Sequence, residues 1–336
     1  MAQSPEQSIR KLLIGTANLD IWIAPDWFLD RLRRDFPGFD VVRLSDRDAM
    51  GREIADAEIA MTVSLQPEEF RAAQKLRWIH SSAAAIHQLL FSELVNSDVL
   101  LTNGRDVHGP AVAEQTMGMI FALAKRIPEA VRFQQRRFWG QQIIWQEYAG
   151  PQELSGLTLG IIGLGAIGRN LARHATCFGM KVIAAREHAD LPKPEFVEQV
   201  FSTSRLNEML AIADYVVVAA PVTPSTHQMI GREQLAAMKS TAYLLNVSRG
   251  ALVDEAALVE ALREKKIAGA GLDVFQKEPL PADSPFWEME NVLITPHTAG
   301  MNAKMWELQY DLFSENLRRY LNHQPLLAIV DKKAGY

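Results

Sequence analysis

The chain has 336 residues, longer than a single hydrophobic core usually grows, so two domains are expected; 48% hydrophobic and 22% charged residues are ordinary for a soluble globular protein. Its 35 Lys and Arg stand against 40 Asp and Glu, and a net charge of -5 excludes the electrostatic footprint of a nucleic-acid or acidic-membrane binder. Any anionic ligand must then be held by local positive groups.

The opening residues, MAQSPEQSIRKLLIG, lack the apolar run of a signal peptide, and no segment approaches the roughly 18 apolar residues of a membrane span, so a cytoplasmic protein is expected. Over the first hundred residues, short apolar runs alternate with helical stretches: KLLIG, PDWFLDRLRRDF, VVRL, EIAMTV, PEEFRAAQ, LRWIHSS and VLLTN. This βα repeat predicts a parallel sheet covered by helices. AVAEQTMGMIFALAKRIPEAVRFQQRRF follows, with apolar residues at three and four spacing through Ile127. It predicts a long helix, interrupted or bent near Pro128, whose apolar breadth fits either a buried packing helix or a dimer face.

From Leu157 the alternation restarts with TLGII, KVIAA, YVVVAA, AYLLNV, AGAGLDV and NVLIT, which match the doubly wound dinucleotide fold in count and size. The single Cys177 excludes an internal disulfide and reads as a small core residue. Residues 281–285, the short proline-bounded run PADSP, read as a loop. The last segment, MWELQYDLFSENLRRYLNHQP, is an amphipathic helix that can return to pack on the first domain and make that domain discontinuous. The eight histidines show neither HExxH nor CxxC-linked spacing, so no metal is expected.

Gly163, Gly165 and Gly168 form GxGxxG between an apolar strand and a helix. In that setting Gly163 allows the tight turn, Gly165 lets a pyrophosphate approach the backbone, and Gly168 lets helix and strand pack closely. The helix start adds free N–H groups and a positive dipole end. The plain alternative is a structural turn without a ligand. An NAD-selective site places a carboxylate about 20 residues on, at the end of the next strand. KVIAAREH puts Arg186 there. Charge-assisted bonds to a 2′-phosphate, at about 1.5–3 kcal/mol, would favour NADPH by about 10- to 150-fold. Glu187 next to it can pair with Arg186 or repel that phosphate.

Three polar residues lie just past apolar strands, where ligands bind in open α/β sheets: Arg249 after AYLLNV, Glu278 after AGLDV and His297 in ITPHTAG. Singly they read as a surface cation, a loop carboxylate and a turn histidine. Together they suit reduction of a keto acid. Hydride arrival leaves charge on the carbonyl oxygen, which needs an acid poised near neutral pH. An imidazole with a neighbouring carboxylate supplies it, and a guanidinium matches the substrate carboxylate bidentately. Asp273 reads either as an acceptor for the nicotinamide amide or as a loop cap.

With GLGAIG, NVSRGALVDE, GLDVFQKEPLP and TPHTAG in this order, the chain resembles the D-isomer-specific 2-hydroxyacid dehydrogenase family along essentially its whole length. The resemblance implies two doubly wound parallel-sheet α/β domains with a cleft between them. A Rossmann-type cofactor domain, 105–297, is inserted into a flavodoxin-like substrate domain, 1–104 plus 298–336. It implies Arg249, Glu278 and His297 as the catalytic trio, with His297 as acid in reduction and base in oxidation. Cofactor contacts are implied at Gly163, Gly165, Ala166, Ile167, Gly168, Arg186, Pro221 and Asp273, and substrate contacts at Ala84, Ala85 and Arg249. A homodimer is implied on the helix near 111–127.

Arg186 is similar to the NADPH-using glyoxylate and hydroxypyruvate reductases. LRWIHSSAAAIHQ resembles the segment whose backbone N–H groups hold the substrate carboxylate, but with Ala85 where glycine is usual and His87 where an acidic residue is common. Ala85 fits if its φ is negative. Trp139, Trp145 and Trp306 are candidates to line the pocket, in some cases from a partner subunit, or simply to pack. The leading expectation is a reductase of small 2-keto acids using NADPH, or else NADH. Formate oxidation, whose enzymes pair the histidine with glutamine, is disfavoured by Glu278. A dinucleotide-sensing protein resembling the corepressors of this fold would be told apart by absent turnover.

Overall fold

The computed structural model describes residues 9–15, 22–44, 46, 49–148 and 150–336. The first eight residues, part of the stretch without a leader-like apolar run, lie outside them. The chain divides into two compact units, Met1–His108 with Asn302–Tyr336, and Gly109–Met301.

In the first unit, β1 (Arg10–Ile14), β2 (Phe39–Arg43), β3 (Ala57–Met61), β4 (Trp78–Ser81) and β5 (Leu100–Asn103) form one parallel sheet in the order β2-β1-β3-β4-β5. This is the flavodoxin-like order. Strand side chains alternate between faces, so Leu12 and Ile14 join one core with Phe28, Trp78 and Phe313, whereas neighbouring Leu13 joins the other with Ala60, Ile79 and Leu101. The terminal helix Met305–Leu321 packs on the first face through Tyr310, Phe313 and Leu317. Each of these fully buried side chains contributes about 1.5–3 kcal/mol of transfer free energy. All five strands expected from the apolar runs are present.

In the second unit, β6 (Thr158–Ile162), β7 (Lys181–Arg186), β8 (Gln199–Ser202), β9 (Tyr215–Val218), β10 (Tyr243–Asn246), β11 (Gly269–Leu272) and β12 (Val292–Ile294) form a seven-stranded sheet in the order β12-β11-β10-β9-β6-β7-β8. Every ladder is parallel. Six strands are the expected ones; β8 is additional, an edge strand of sequence QVFS in which only Phe201 is fully buried. It carries too little apolar signal to register in the sequence.

The interruption expected near Pro128 is present, and the expectation for Cys177 is corrected. The long helical stretch is two helices, Arg105–Ala124 and Ile127–Gln135, and the break falls at Arg126, whose φ is +59°, while Pro128 sits in the first turn of the second helix, where its missing N–H costs nothing. Cys177 is exposed, not a core residue. The buried stripe of the helix Ala166–Cys177 is Gly168, Leu171, Ala172 and Ala175, and Cys177 falls off it, its thiol turned to the carbonyl of Arg173 at 3.4 Å. The first long helix is buried in the core of the second unit through Val112, Ala113, Ile120 and Leu123. Among the described residues no helix is long and apolar enough to cross a membrane.

Candidate active site

The glycine-rich turn follows β6. Gly163 has φ +101°, a conformation that L side chains rarely adopt, and a Cβ there would meet the carbonyl oxygen of Ala219 at 2.8 Å. A Cβ on Gly168 would lie 2.0 Å from the carbonyl oxygen of Gly163, so helix and strand approach as only glycine permits. Around Gly165 the space a Cβ would take is open, and Gly165 caps the helix that begins at Ala166. The first-turn N–H groups of Ala166, Ile167 and Gly168 have no intrahelical acceptor and the space beside Gly165 is open, which is the setting a pyrophosphate needs. These residues fit a dinucleotide. Pro221 is exposed in the loop after β9, its carbonyl accepting from the Thr226 hydroxyl at 2.7 Å.

Arg186 is the last residue of β7. Its Nη2 donates to the carbonyl of Leu191, and to that of Pro192 at 3.3 Å, while its Nε is buried without a partner among the described residues. Glu187 accepts from the Thr203 hydroxyl at 3.2 Å. The two neighbours are thus engaged separately.

The ends of β10, β11 and β12 lie level, with Asn246 beside Leu272 and Leu272 beside Ile294. Past β10, the Asn246 side chain accepts from Ser248 N–H at 3.2 Å and donates to the Arg249 carbonyl at 2.9 Å, shaping the turn that presents Arg249. The Arg249 Nη1 donates to the Ser248 carbonyl at 2.5 Å. Burial pushes its guanidinium below the ordinary value, opposed by the charges of Glu278 and Asp273. A Cβ on Gly250 would lie 1.9 Å from the carbonyl carbon of Phe275, so the loop after β11 lies directly against the Arg249 turn. That loop is braced by Glu255, which accepts from Gln276 N–H at 2.6 Å.

Glu278, at the far side of this loop, accepts from Phe275 N–H at 2.9 Å through Oε1 and meets Nδ1 of His297 at 2.5 Å through Oε2. Desolvation pushes its carboxyl up, but the bonds from His297 and Phe275, with the charges of His297 and Arg249, outweigh it and leave the carboxyl below its ordinary value. His297 has φ +54°, unusual for a residue with a side chain. Asp273 explains how it is held. The His297 N–H donates to the Asp273 carbonyl at 2.8 Å, and the buried Asp273 carboxylate accepts from the Thr295 hydroxyl at 2.5 Å, Thr298 N–H at 3.0 Å and Ala299 N–H at 3.1 Å. Of the two sequence readings of Asp273, the loop-holding one has bonds to its name.

Ala84 and Ala85 belong to the first unit, in the turn after β4. Ala85 is not among the residues of positive φ, which answers the condition set by its methyl group. His87 is exposed and opens a short 3-10 turn. Trp306 packs edge-on against Phe28 and, with Trp22, Thr62 and Ser82, lines a small cavity of the first unit. Trp139 and Trp145 are 87% and 72% exposed.

A Rossmann-order sheet with a glycine turn and, at its strand ends, a guanidinium and an imidazole–carboxylate pair defines a nicotinamide-dependent oxidoreductase. Comparison with known proteins narrows the class. The model of the D-isomer specific 2-hydroxyacid dehydrogenase NAD binding domain matches residues 117–299. A glyoxylate reductase of Korarchaeum cryptofilum is 35% identical over 280 residues, 82% of this chain and 80% of that protein. A D-3-phosphoglycerate dehydrogenase of Methanocaldococcus jannaschii is 33% identical over 82% of this chain, which spans only 52% of that protein's length. The crystal structure of a D-isomer specific 2-hydroxyacid dehydrogenase from Xanthobacter autotrophicus in complex with NADPH and MES has a TM-score of 0.82 at 30% identity, covering 97% of this chain and 99% of that one. The chain belongs to the D-isomer specific 2-hydroxyacid dehydrogenase family of NAD(P)-dependent oxidoreductases.

Proposed function

We propose that this protein is an NADPH-preferring reductase of small 2-keto acids, glyoxylate or hydroxypyruvate, forming D-2-hydroxy acids. The unit Gly109–Met301 takes the cofactor and the other unit contributes to substrate binding. The observation that carries the reading is the 2.5 Å contact between His297 Nδ1 and Glu278, because it leaves Nε2 free to face a substrate. When bound, the reduced nicotinamide supplies the hydride. His297 Nε2 gives its proton to the carbonyl oxygen as negative charge grows there, and Glu278 keeps hold of Nδ1–H before and after, fixing the ring and its tautomer. In the reverse direction the same nitrogen accepts the proton. Arg249, permanently charged, pairs with the substrate carboxylate and polarises the carbonyl. In the other unit, the N–H groups of Ala84 and Ala85 are the proposed donors to a substrate carboxylate.

The NADPH preference is supported by Arg186, where a carboxylate would repel a 2′-phosphate, by its separation from Glu187, and by the NADPH in the Xanthobacter structure. A panel of 2-keto acids assayed with NADPH and NADH is expected to show glyoxylate or hydroxypyruvate first, and kcat/KM higher with NADPH by about 10- to 150-fold. A preference for NADH would show that Arg186 reads no phosphate. Tight dinucleotide binding without turnover would favour a sensor. We also propose a homodimer on the helix near 111–127, whose end leads into a segment that exposes Ile127, Val131, Phe138, Trp139 and Trp145. Sedimentation is expected at twice 37.6 kDa, and a monomer at assay concentrations would refute it.

A further inference from the structure

The turn after β4 is held in an unusual way, entirely by its carbonyls. Ser82 O accepts from Gln309 Nε2 at 2.6 Å and His108 Nε2 at 2.9 Å, Ala83 O accepts from Gly104 N–H at 3.1 Å, and Ala84 O accepts from Asn103 Nδ2 at 2.7 Å. Across a trans peptide the C=O of one residue and the N–H of the next point in opposite directions. Three carbonyls drawn inward therefore turn the N–H groups of Ala83, Ala84 and Ala85 outward, and none of these donates to a described residue.

Gln309 lies on the terminal helix and is 1% exposed. Its amide has one possible orientation. A carbonyl oxygen only accepts, so the atom against Ser82 O is the amine, and Oε1 then faces Nε2 of His80 at 3.5 Å. Burial keeps His80 neutral, so with Nε2 protonated its Nδ1 accepts from the Thr102 hydroxyl at 2.8 Å, which in turn accepts from Trp78 Nε1 at 2.8 Å. A single donor-to-acceptor order thus runs from Trp78 to Ser82. Gly104 makes room for it: a Cβ there would lie 2.4 Å from Ser82 O and 2.7 Å from Gln309 Nε2.

We propose that Gln309 is a positioning residue for substrate recognition, fixing Ser82 O and through it the row of Ala83–Ala85 N–H groups that receives the keto-acid carboxylate. The proposal rests on the functional reading above, which puts that carboxylate on this turn. A buried chain of this kind is costly unless every member is satisfied, and here its last bond sets where the N–H groups point.

The test compares the unaltered protein with Gln309→Met, which keeps length without the amide, and Gln309→Glu, which keeps an acceptor for His80 but loses the donor to Ser82. KM for glyoxylate and Ki for oxamate, a non-reacting carboxylate isostere, are expected to rise at least about 10-fold, with kcat within about threefold and the Kd for NADPH unchanged. KM and Ki within about twofold of the unaltered protein in both variants would overturn the proposal. So would a loss shared equally by kcat, KM and the NADPH Kd, or failure of both variants to fold, since each marks a structural brace only. If the unaltered protein neither reduces a keto acid nor binds oxamate, the functional reading itself fails and takes the proposal with it. If it does both and only the variants disappoint, the proposal alone is lost.

Discussion

The ends of β10–β12 and the turn after β4 are built on opposite plans. At the first, side chains face the solvent-accessible side and bond one another: Glu278 meets His297, and Arg249 lies close enough for its charge to bear on Glu278. At the second, side chains are alanines and the buried groups hold backbone carbonyls. Proton transfer needs atoms that carry labile protons at defined pKa, so it demands particular side chains. Gripping a carboxylate needs only N–H groups aimed at one point, which any residue supplies if its neighbours hold the peptide still.

The two plans part most sharply at His297. His297→Ala is expected to lower kcat by about 10²- to 10⁴-fold while the NADPH Kd is unchanged, because the proposed mechanism draws the proton from Nε2 of this imidazole. The Gln309 variants should show the converse, a KM effect with kcat nearly intact. A His297→Ala enzyme within about tenfold of the original kcat would erase the division of labour, since the proton would then come from elsewhere.

This division also governs what could be read without coordinates. Strand runs such as YVVVAA and AYLLNV announce themselves because both faces of a parallel sheet are buried, whereas QVFS of β8, at the sheet edge with one fully buried residue, does not. The placement of Arg249, Glu278 and His297 past the level ends of β10–β12 is legible because each follows a strong strand. The glycine turn was legible for the same reason, and Gly163 and Gly168 occupy the strained and crowded positions expected of them. Asp273 was only half legible: its four bonds into the His297 loop depend on the fold of that loop, and the residue type allowed two roles. Gln309 and Asn103 were not legible at all. A glutamine in an amphipathic helix reads as a solvent residue until the tertiary structure buries it against Ser82, far away in sequence. Cys177 erred the other way, an apolar type placed one step off the buried stripe.

A smaller effect, on stability, separates the two regions by pH. Burial holds His80 down at about 4, against 6.5 when free, with the Gln309 bond opposing. A depressed histidine stabilises the fold fully above 6.5 and progressively less as pH falls towards 4, because the unfolded chain takes up the proton first. Between pH 7 and 5 this amounts to about 2 kcal/mol, or about 30-fold in the folding equilibrium. Glu278 works in a lower window: its depressed carboxyl contributes above the ordinary value of 4.5 and is lost only as pH falls through the lower folded value. Acid should therefore loosen the turn that His80 supports before it disturbs the Glu278–His297 pair. Urea midpoints at pH 7 and pH 5 are expected to differ in the unaltered protein and to converge in His80→Gln, which is less stable at pH 7 but has no buried imidazole left to charge. An equal drop in both proteins would place the acid-sensitive group outside this chain of bonds, and with it the claim that the polar order from Trp78 to Ser82 is what keeps the alanine turn in place.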